Sequence, residues 1–331
     1  MKCFIKSNVR FLVLIIALVF LSRMAGGAAP VNIPGLPTDI WVVQNMVYKT
    51  VAGLELKMDI YLPQDYVQPP PGTENNQYPV VINIHGGGFE AGDKTAISQQ
   101  LDLAINLVRA KVVVVSIDYR LSTPTQATYP QAVQDCRDAL RWVVKYGPGY
   151  RIDTNRIALV GQSAGATLAA LTGLAPDSMY KENPDVASTP IKVKCLVLWC
   201  GGYDFTNAAE ANLNENLKQW IGGSPYNATY APKYTEASAI NYVTVNSPPM
   251  LMVHGTTDYV APYEQSEALW KHIKYDIGGN VAEGSQMLQV YKGNHMFDPT
   301  IIQDQFPVFG NPTRLQIDEI TLKFIKDHLN N

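Results

Sequence analysis

The chain predicts an α/β fold, one mostly parallel, eight-stranded sheet with helices on both faces. Three observations predict it. From residue 80 onward, short apolar runs alternate with runs of helical spacing, the pattern of repeated β-α units. The strand-like runs are mostly apolar, as strands covered on both faces are. One of them, residues 156–160, passes through Gly161-Gln162-Ser163-Ala164-Gly165 into an Ala- and Leu-rich helix.

Residues Met1 to Arg10 carry Lys2, Lys6 and Arg10 and no acid, Phe11 to Leu21 are all apolar, and Ala25-Gly26-Gly27-Ala28-Ala29 follow. A basic start, an apolar stretch short for a membrane span and small residues beyond it predict a signal peptide over residues 1–27. Cleavage is expected after Gly27 or Ala28, because Pro30 disfavours Ala29. Arg23 keeps an uncleaved anchor as the alternative. The expected product is secreted or periplasmic, with no stable membrane insertion, and residues 28–331 form a single catalytic domain.

Residues 40–49 and 54–62 read as an antiparallel hairpin around Ala52-Gly53, and residues 67–77 as an exposed loop. Strands follow at 80–84, 112–117, 156–160, 193–199, 250–253 and 287–291. Helical spacing marks 95–109, 129–146, 163–174, 263–275 and 313–329. Residues 175–192 and 206–247 read as irregular excursions over the sheet edge.

The sequence is 47% apolar and 17% charged, with a net charge of −3, and shows no basic stripe, which argues against a nucleic-acid partner. Cys136, Cys195 and Cys200 lie beyond the signal, and no Cys/His spacing suggests zinc. Along one strand Cys195 and Cys200 would stand roughly 16 Å apart, too far for a disulfide. Buried thiols are expected at all three.

Strand, Gly-x-Ser-x-Gly turn and helix together describe a nucleophile elbow, which makes Ser163 the candidate nucleophile. Immediately after the strand at 80–84 stands His85-Gly86-Gly87-Gly88-Phe89, whose main-chain N–H groups can crowd around an oxygen atom. Gly87 and Gly88 with Ala164 are the expected oxyanion donors. Five histidines offer a base. His85 belongs to the glycine loop, His254 to a strand end, and His272 and His328 to surface helices. His295, on a loop after the last strand, is left. The orienting acid should precede it in the chain. Asp258, after the strand at 250–253, is preferred to Asp204, which more readily caps a loop.

These motifs, with Ser116-Ile117-Asp118-Tyr119-Arg120, Tyr129-Pro130, Asp135 and Trp142, resemble the α/β-hydrolase esterases of the hormone-sensitive-lipase-like and bacterial feruloyl-esterase-like branch. Leu56-Lys57-Met58-Asp59-Ile60-Tyr61-Leu62-Pro63 resembles the opening hairpin of the second group. The resemblance runs from about Val47 to the C-terminus. It implies a Ser163–Asp258–His295 triad, an oxyanion hole of Gly87, Gly88 and Ala164, a supporting role for Asp118-Tyr119-Arg120, and no metal or organic cofactor. Ala166-Thr167 replaces a frequent Gly-His, and Met296 stands where Gly is usual, which bears on substrate preference. The segment before the first strand is short, implying little or no cap.

The expected activity is carboxylic-ester hydrolysis. A prolyl-oligopeptidase-like peptidase or a catalytically dead hydrolase used for binding are the alternatives. Trp220, Tyr226, Tyr230, Tyr234 and Tyr242 crowd one irregular tract. They either pin it to the sheet or offer a surface for sugars and phenolic acids. The second option, with export and the resemblance, favours small-molecule or polysaccharide-linked esters, acetyl or feruloyl, over triglyceride.

Overall fold

The computed structural model describes Val31 and residues 36–330, apart from 68, 71, 74, 208–213 and 298–311. The signal-peptide expectation over residues 1–27 lies outside the described residues. Among the described residues no helix is long and apolar enough to cross a membrane.

Eight strands form one sheet: β1 (Ile40–Val51), β2 (Leu54–Pro63), β3 (Tyr78–Ile84), β4 (Val113–Ile117), β5 (Ile152–Gln162), β6 (Cys195–Trp199), β7 (Met250–Gly255) and β8 (Gln286–Val290). Their order is β1-β2-β4-β3-β5-β6-β7-β8. β2 runs antiparallel to β1 and to β4, and all later pairings are parallel. The opening hairpin turns on Ala52 and Gly53, both at positive φ (48° and 83°), as a two-residue hairpin turn matched to strand twist requires.

Because side chains alternate along a strand, each strand feeds two cores. Val80, Ile82 and Ile84 face one cluster with Leu159 and Leu198, while Val81 faces the other with Val160 and Val197. Helices α2 (Gln131–Tyr146), α3 (Ala164–Leu174) and α6 (Glu264–Lys271) close the first face, and α1 (Leu101–Arg109) and α7 (Arg314–Leu329) the second. Helix α3 has apolar residues all round and is buried through nearly its whole length, as such a helix must be. A capping box at Thr313 and Gln316 starts α7.

The tract expected to be irregular at 206–247 holds two short helices, α4 (Glu215–Ile221) and α5 (Ala231–Glu236), and a 3₁₀ turn at Ala239–Tyr242. Fewer than two full turns leave no periodicity to read, so their signal is in the ends: Asn214 caps α4, its side chain accepting from the Leu217 N–H at 2.9 Å. α4 stands over the C-terminal edge of the strands as one wall of a cleft, and the described residues contain no separate cap domain.

Away from that edge, the Lys49 ammonium on β1 is buried among three carboxylates, Asp135 at 2.7 Å, Asp138 at 2.8 Å and Glu182 at 2.5 Å. Arg120 shares Asp135 at 2.7 Å and also bonds Glu182. Burial by itself would lower the Lys49 pKa, but the carboxylates outweigh it and hold it above its usual value. The cluster joins β1, α2 and the Asp118-Tyr119-Arg120 loop.

Candidate active site

β5 ends at Gln162, and the chain reverses at Ser163 with φ 55° and ψ −125° to enter α3. A non-glycine residue in that region is strained and persists only where its surroundings hold it. Here the Ser163 N–H donates to the Trp199 carbonyl of β6 at 2.8 Å. The flanking glycines make the turn possible. A β-carbon on Gly165 would lie 2.1 Å from the Ile84 carbonyl oxygen, and one on Gly161 would lie 2.2 Å from the Gly165 carbonyl oxygen.

The loop after β3 closes against this elbow. The His85 ring stacks on Tyr119 at 4.2 Å between centroids, and the Tyr119 hydroxyl donates to the His85 carbonyl at 2.9 Å. Asp118-Tyr119-Arg120 therefore stands under the glycine loop. Burial lowers the His85 pKa, which keeps the ring neutral and away from the chemistry. Phe89 stacks on Trp220 of α4 at 4.1 Å, and the Glu90 carboxylate accepts from Asn216 at 3.1 Å and Gln219 at 2.9 Å. Gly87, Gly88 and Ala164 line one cleft with Ser163 and His295. Among the described residues the N–H groups of these three donate to no protein acceptor. The first-turn amide of α3 also carries the positive end of the helix dipole.

Acid and base come from the ends of β7 and β8. The two loops are laced together: the Thr257 N–H and hydroxyl both donate to the Gly293 carbonyl at 3.0 Å, and the Lys292 N–H donates to the Thr256 hydroxyl at 2.8 Å. This places His295 Nδ1 2.6 Å from Asp258 Oδ2 and His295 Nε2 2.9 Å from Ser163 Oγ. Asp258 Oδ1 accepts the N–H groups of Val260 (2.8 Å) and Ala261 (3.0 Å). Burial would raise the Asp258 pKa, but hydrogen bonds from His254 and His295 outweigh it and hold the carboxyl well below the usual carboxylate range. An ionised Asp258 only accepts, so His295 Nδ1 carries the proton and Nε2 is left to receive one from Ser163.

The other candidates fall elsewhere. Asp204 folds back on its own loop, accepting the Thr206 N–H at 2.9 Å and hydroxyl at 2.6 Å. His272 pairs with Asp276, and His328 Nδ1 bonds the Phe324 carbonyl. His254, which sequence reasoning set aside, meets Asp258 from behind with Nε2 3.2 Å from Oδ2. The signal available was its spacing, four residues before the acid at the same strand end. Cys136, Cys195 and Cys200 are free, buried thiols. Cys200, Asp258 and His295 offer ligand atoms within 4.8 Å of one another. The set does not suit a metal: burial and Asp258 push the Cys200 thiol pKa up, its Sγ contacts the His295 carbonyl at 3.3 Å, and both His295 nitrogens are engaged.

The cleft has a volume of about 690 Å³. Its aromatic lining is Phe89, Phe205 and Tyr259, not the tyrosine-rich tract. The sequence leaves two roles open for Trp220, Tyr226, Tyr230, Tyr234 and Tyr242; none of the five lines this cleft, and Trp220, Tyr234 and Tyr242 take the pinning one. Trp220 and Tyr234 are buried, the Tyr234 hydroxyl donates to the Gly223 carbonyl at 2.7 Å, and the Tyr242 hydroxyl to the Glu236 carbonyl at 2.8 Å. These rings hold the segment down. Flat amphipathic rings serve that purpose as well as they serve a ligand, so composition could not separate the two.

Sheet order, elbow and glycine loop define an α/β-hydrolase of the esterase kind. The chain belongs to the BD-FAE family, whose model matches residues 58–273, a span that includes the glycine loop, Ser163 and Asp258 and stops before His295. Esterase LipQ of Mycobacterium tuberculosis is 29% identical over 223 residues, 66% of this chain and 50% of that protein. The chain spans about half the length of the curated relatives it matches, 43% and 50% for the first two. A truncated form of a carbohydrate esterase from gut microbiota superposes with a TM-score of 0.68 at 22% identity, covering 88% of this chain and 96% of that one. The apo form of Thermogutta terrifontis esterase 2 gives 0.63 at 21% identity, covering 91% and 97%. At such identities the likeness establishes the fold.

Proposed function

We propose that the chain is an exported serine carboxylic-ester hydrolase working through an acyl-enzyme. The observation that carries this reading is the relay of Asp258 to His295 at 2.6 Å and His295 to Ser163 at 2.9 Å, beside three uncommitted amides. Ser163 attacks the ester carbonyl as His295 takes its proton, and Asp258 holds the imidazole in the required tautomer and stabilises the imidazolium. The N–H groups of Gly87, Gly88 and Ala164 receive the oxyanion, each such donor being worth about 3–4 kcal/mol in the transition state. His295 then protonates the leaving alcohol, and water repeats the sequence to free the acid. No step calls for a metal or organic cofactor.

The substrates we propose are short-chain esters and the acetyl or feruloyl side groups of plant polysaccharide. An open cleft with Phe89, Phe205 and Tyr259 among Asn214, Asn216 and Gln265 offers flat apolar faces beside amide groups. Asp204 and Glu215 are the charged residues among its described lining, which favours neutral esters over acid-bearing ones. Membership of the BD-FAE family supports ester chemistry over peptidase chemistry. With Ser163→Ala, hydrolysis of p-nitrophenyl acetate should fall by about 10⁴-fold or more while the circular dichroism spectrum is kept. Retained turnover in a folded variant would refute the assignment.

A further inference from the structure

Asp258 has a second histidine. His254 is wholly buried, and its Nε2 lies 3.2 Å from Asp258 Oδ2, the same oxygen that His295 Nδ1 meets at 2.6 Å. That Nε2 is also 2.9 Å from the Ala261 carbonyl, while Nδ1 is 2.7 Å from the Ser266 hydroxyl on α6. Both atoms facing Nε2 are acceptors without a proton, so Nε2 carries the hydrogen and shares it between them. The neutral ring then accepts the Ser266 O–H at Nδ1. With the Val260 and Ala261 N–H groups on Oδ1, the carboxylate is gripped by four donors from different directions.

We propose that His254, held as the Nε2–H tautomer by the Ala261 carbonyl and Asp258 with Ser266 completing its other nitrogen, is a positioning residue that fixes Asp258 Oδ2 for His295 and takes up part of its charge. The inference rests on the triad reading above. It has two consequences. Without the His254 donor, the Val260 and Ala261 N–H groups still hold Oδ1, but Oδ2 is held from the His295 side alone. The carboxylate also becomes a stronger partner for the imidazolium, which moves the acid limb of the rate profile to higher pH. The titratable groups facing this pair are His295 beyond Asp258, Cys200 beside Asp258, and Tyr263 edge-on to the His254 ring at 5.9 Å.

His254→Phe keeps a flat ring and removes the donor, while His254→Gln sets an amide N–H near the position of Nε2. For the Phe variant, kcat should fall about 10–100-fold, the scale of losing a partner that orients a catalytic group. KM for p-nitrophenyl acetate should stay within about twofold, and the acid limb should move up by roughly half a pH unit or more. The Gln variant should recover most of kcat and the original limb. A folded Phe variant with unchanged kcat and limb overturns the proposal, as does equal impairment of both variants with an unmoved limb, which would mark a packing role. Should the Phe variant not fold, ring-nitrogen NMR of the intact chain carrying Ser163→Ala at pH 8 gives the His254 tautomer. Nε2–H is expected and Nδ1–H overturns the proposal. That measurement does not depend on turnover, so it separates failure here from failure of the triad reading, which Ser163→Ala tests through activity.

Discussion

Two of the sites that bury carboxylates among the described residues hold them in opposite ways. Asp135 and Asp138 sit against full cations, Lys49 and Arg120, with no open side. Asp258 sits against neutral donors, two main-chain N–H groups and two imidazoles, one of which faces a cleft. A carboxylate neutralised by a cation has little charge left to offer a third group, whereas one solvated by dipoles keeps its charge and its direction. The first arrangement holds elements of the fold together. The second keeps a charge available for the imidazolium that the proposed mechanism forms.

The contrast breaks most visibly at Asp258 itself. Asp258→Asn puts an amide N–H where His295 Nδ1–H now donates and forces the wrong tautomer, so kcat for a short ester should drop about 10⁴-fold. Unfolding free energy in urea should fall by less than about 2 kcal/mol, since the other acceptor oxygen is kept. Loss of stability on the scale of a broken buried ion pair would erase the distinction.

Lys49→Met is the mirror experiment. It takes the ammonium from buried Asp135 and Asp138, leaving Arg120 to pair with Asp135 and Glu182, and should cost about 3–5 kcal/mol of stability. Below the unfolding midpoint, kcat/KM should stay within about threefold of the parent, because the cluster touches the site only through the loop beneath His85. Glu182 is the partly exposed member, with 30% of its side chain accessible, so Glu182→Gln should cost only about 1 kcal/mol.

A titration sharpens the same comparison. The Asp258 pKa is depressed, so its contribution to stability is complete above the ordinary carboxylate range and is lost only as pH falls through its lowered folded value. Under the proposed mechanism the acid limb of kcat/KM should therefore follow a single proton, not that of Asp258. A slope of two above pH 4.5 would show that Asp258 titrates with it. Smallest of all is the exposed Arg109–Asp39 pair at 3.0 Å, where Arg109→Ala should leave the urea unfolding midpoint unchanged within error.

Much of this was legible in the sequence because it is local. Each strand is an apolar run bounded by turn residues, and the elbow, glycine loop, acid and base each sit just past a strand end. β5 begins at Ile152, earlier than the run at 156, and its polar Asp153 and Thr154, partly buried, and Asn155, exposed, hide the strand's start. The short helices α4 and α5 left no period to detect. The Lys49 cluster was out of reach for a different reason: its partners are 86, 89 and 133 residues away, and no local pattern links them. His254 was visible as a residue but not as a partner, since which way a strand-end ring turns is decided by Ser266 and Ala261 further along.

The contacts of Gly161 and Gly165 change what the Gly-x-Ser-x-Gly signature means. Both glycines are required by backbone carbonyls about 2 Å from where a β-carbon would stand, and neither contact involves the serine hydroxyl. Selection on them is selection for a turn that packs. A descendant that lost Ser163 would still be bound to keep both glycines or lose its sheet. Two of the five positions in the motif thus record architecture, and the record of chemistry lies in the serine together with a histidine 132 residues away.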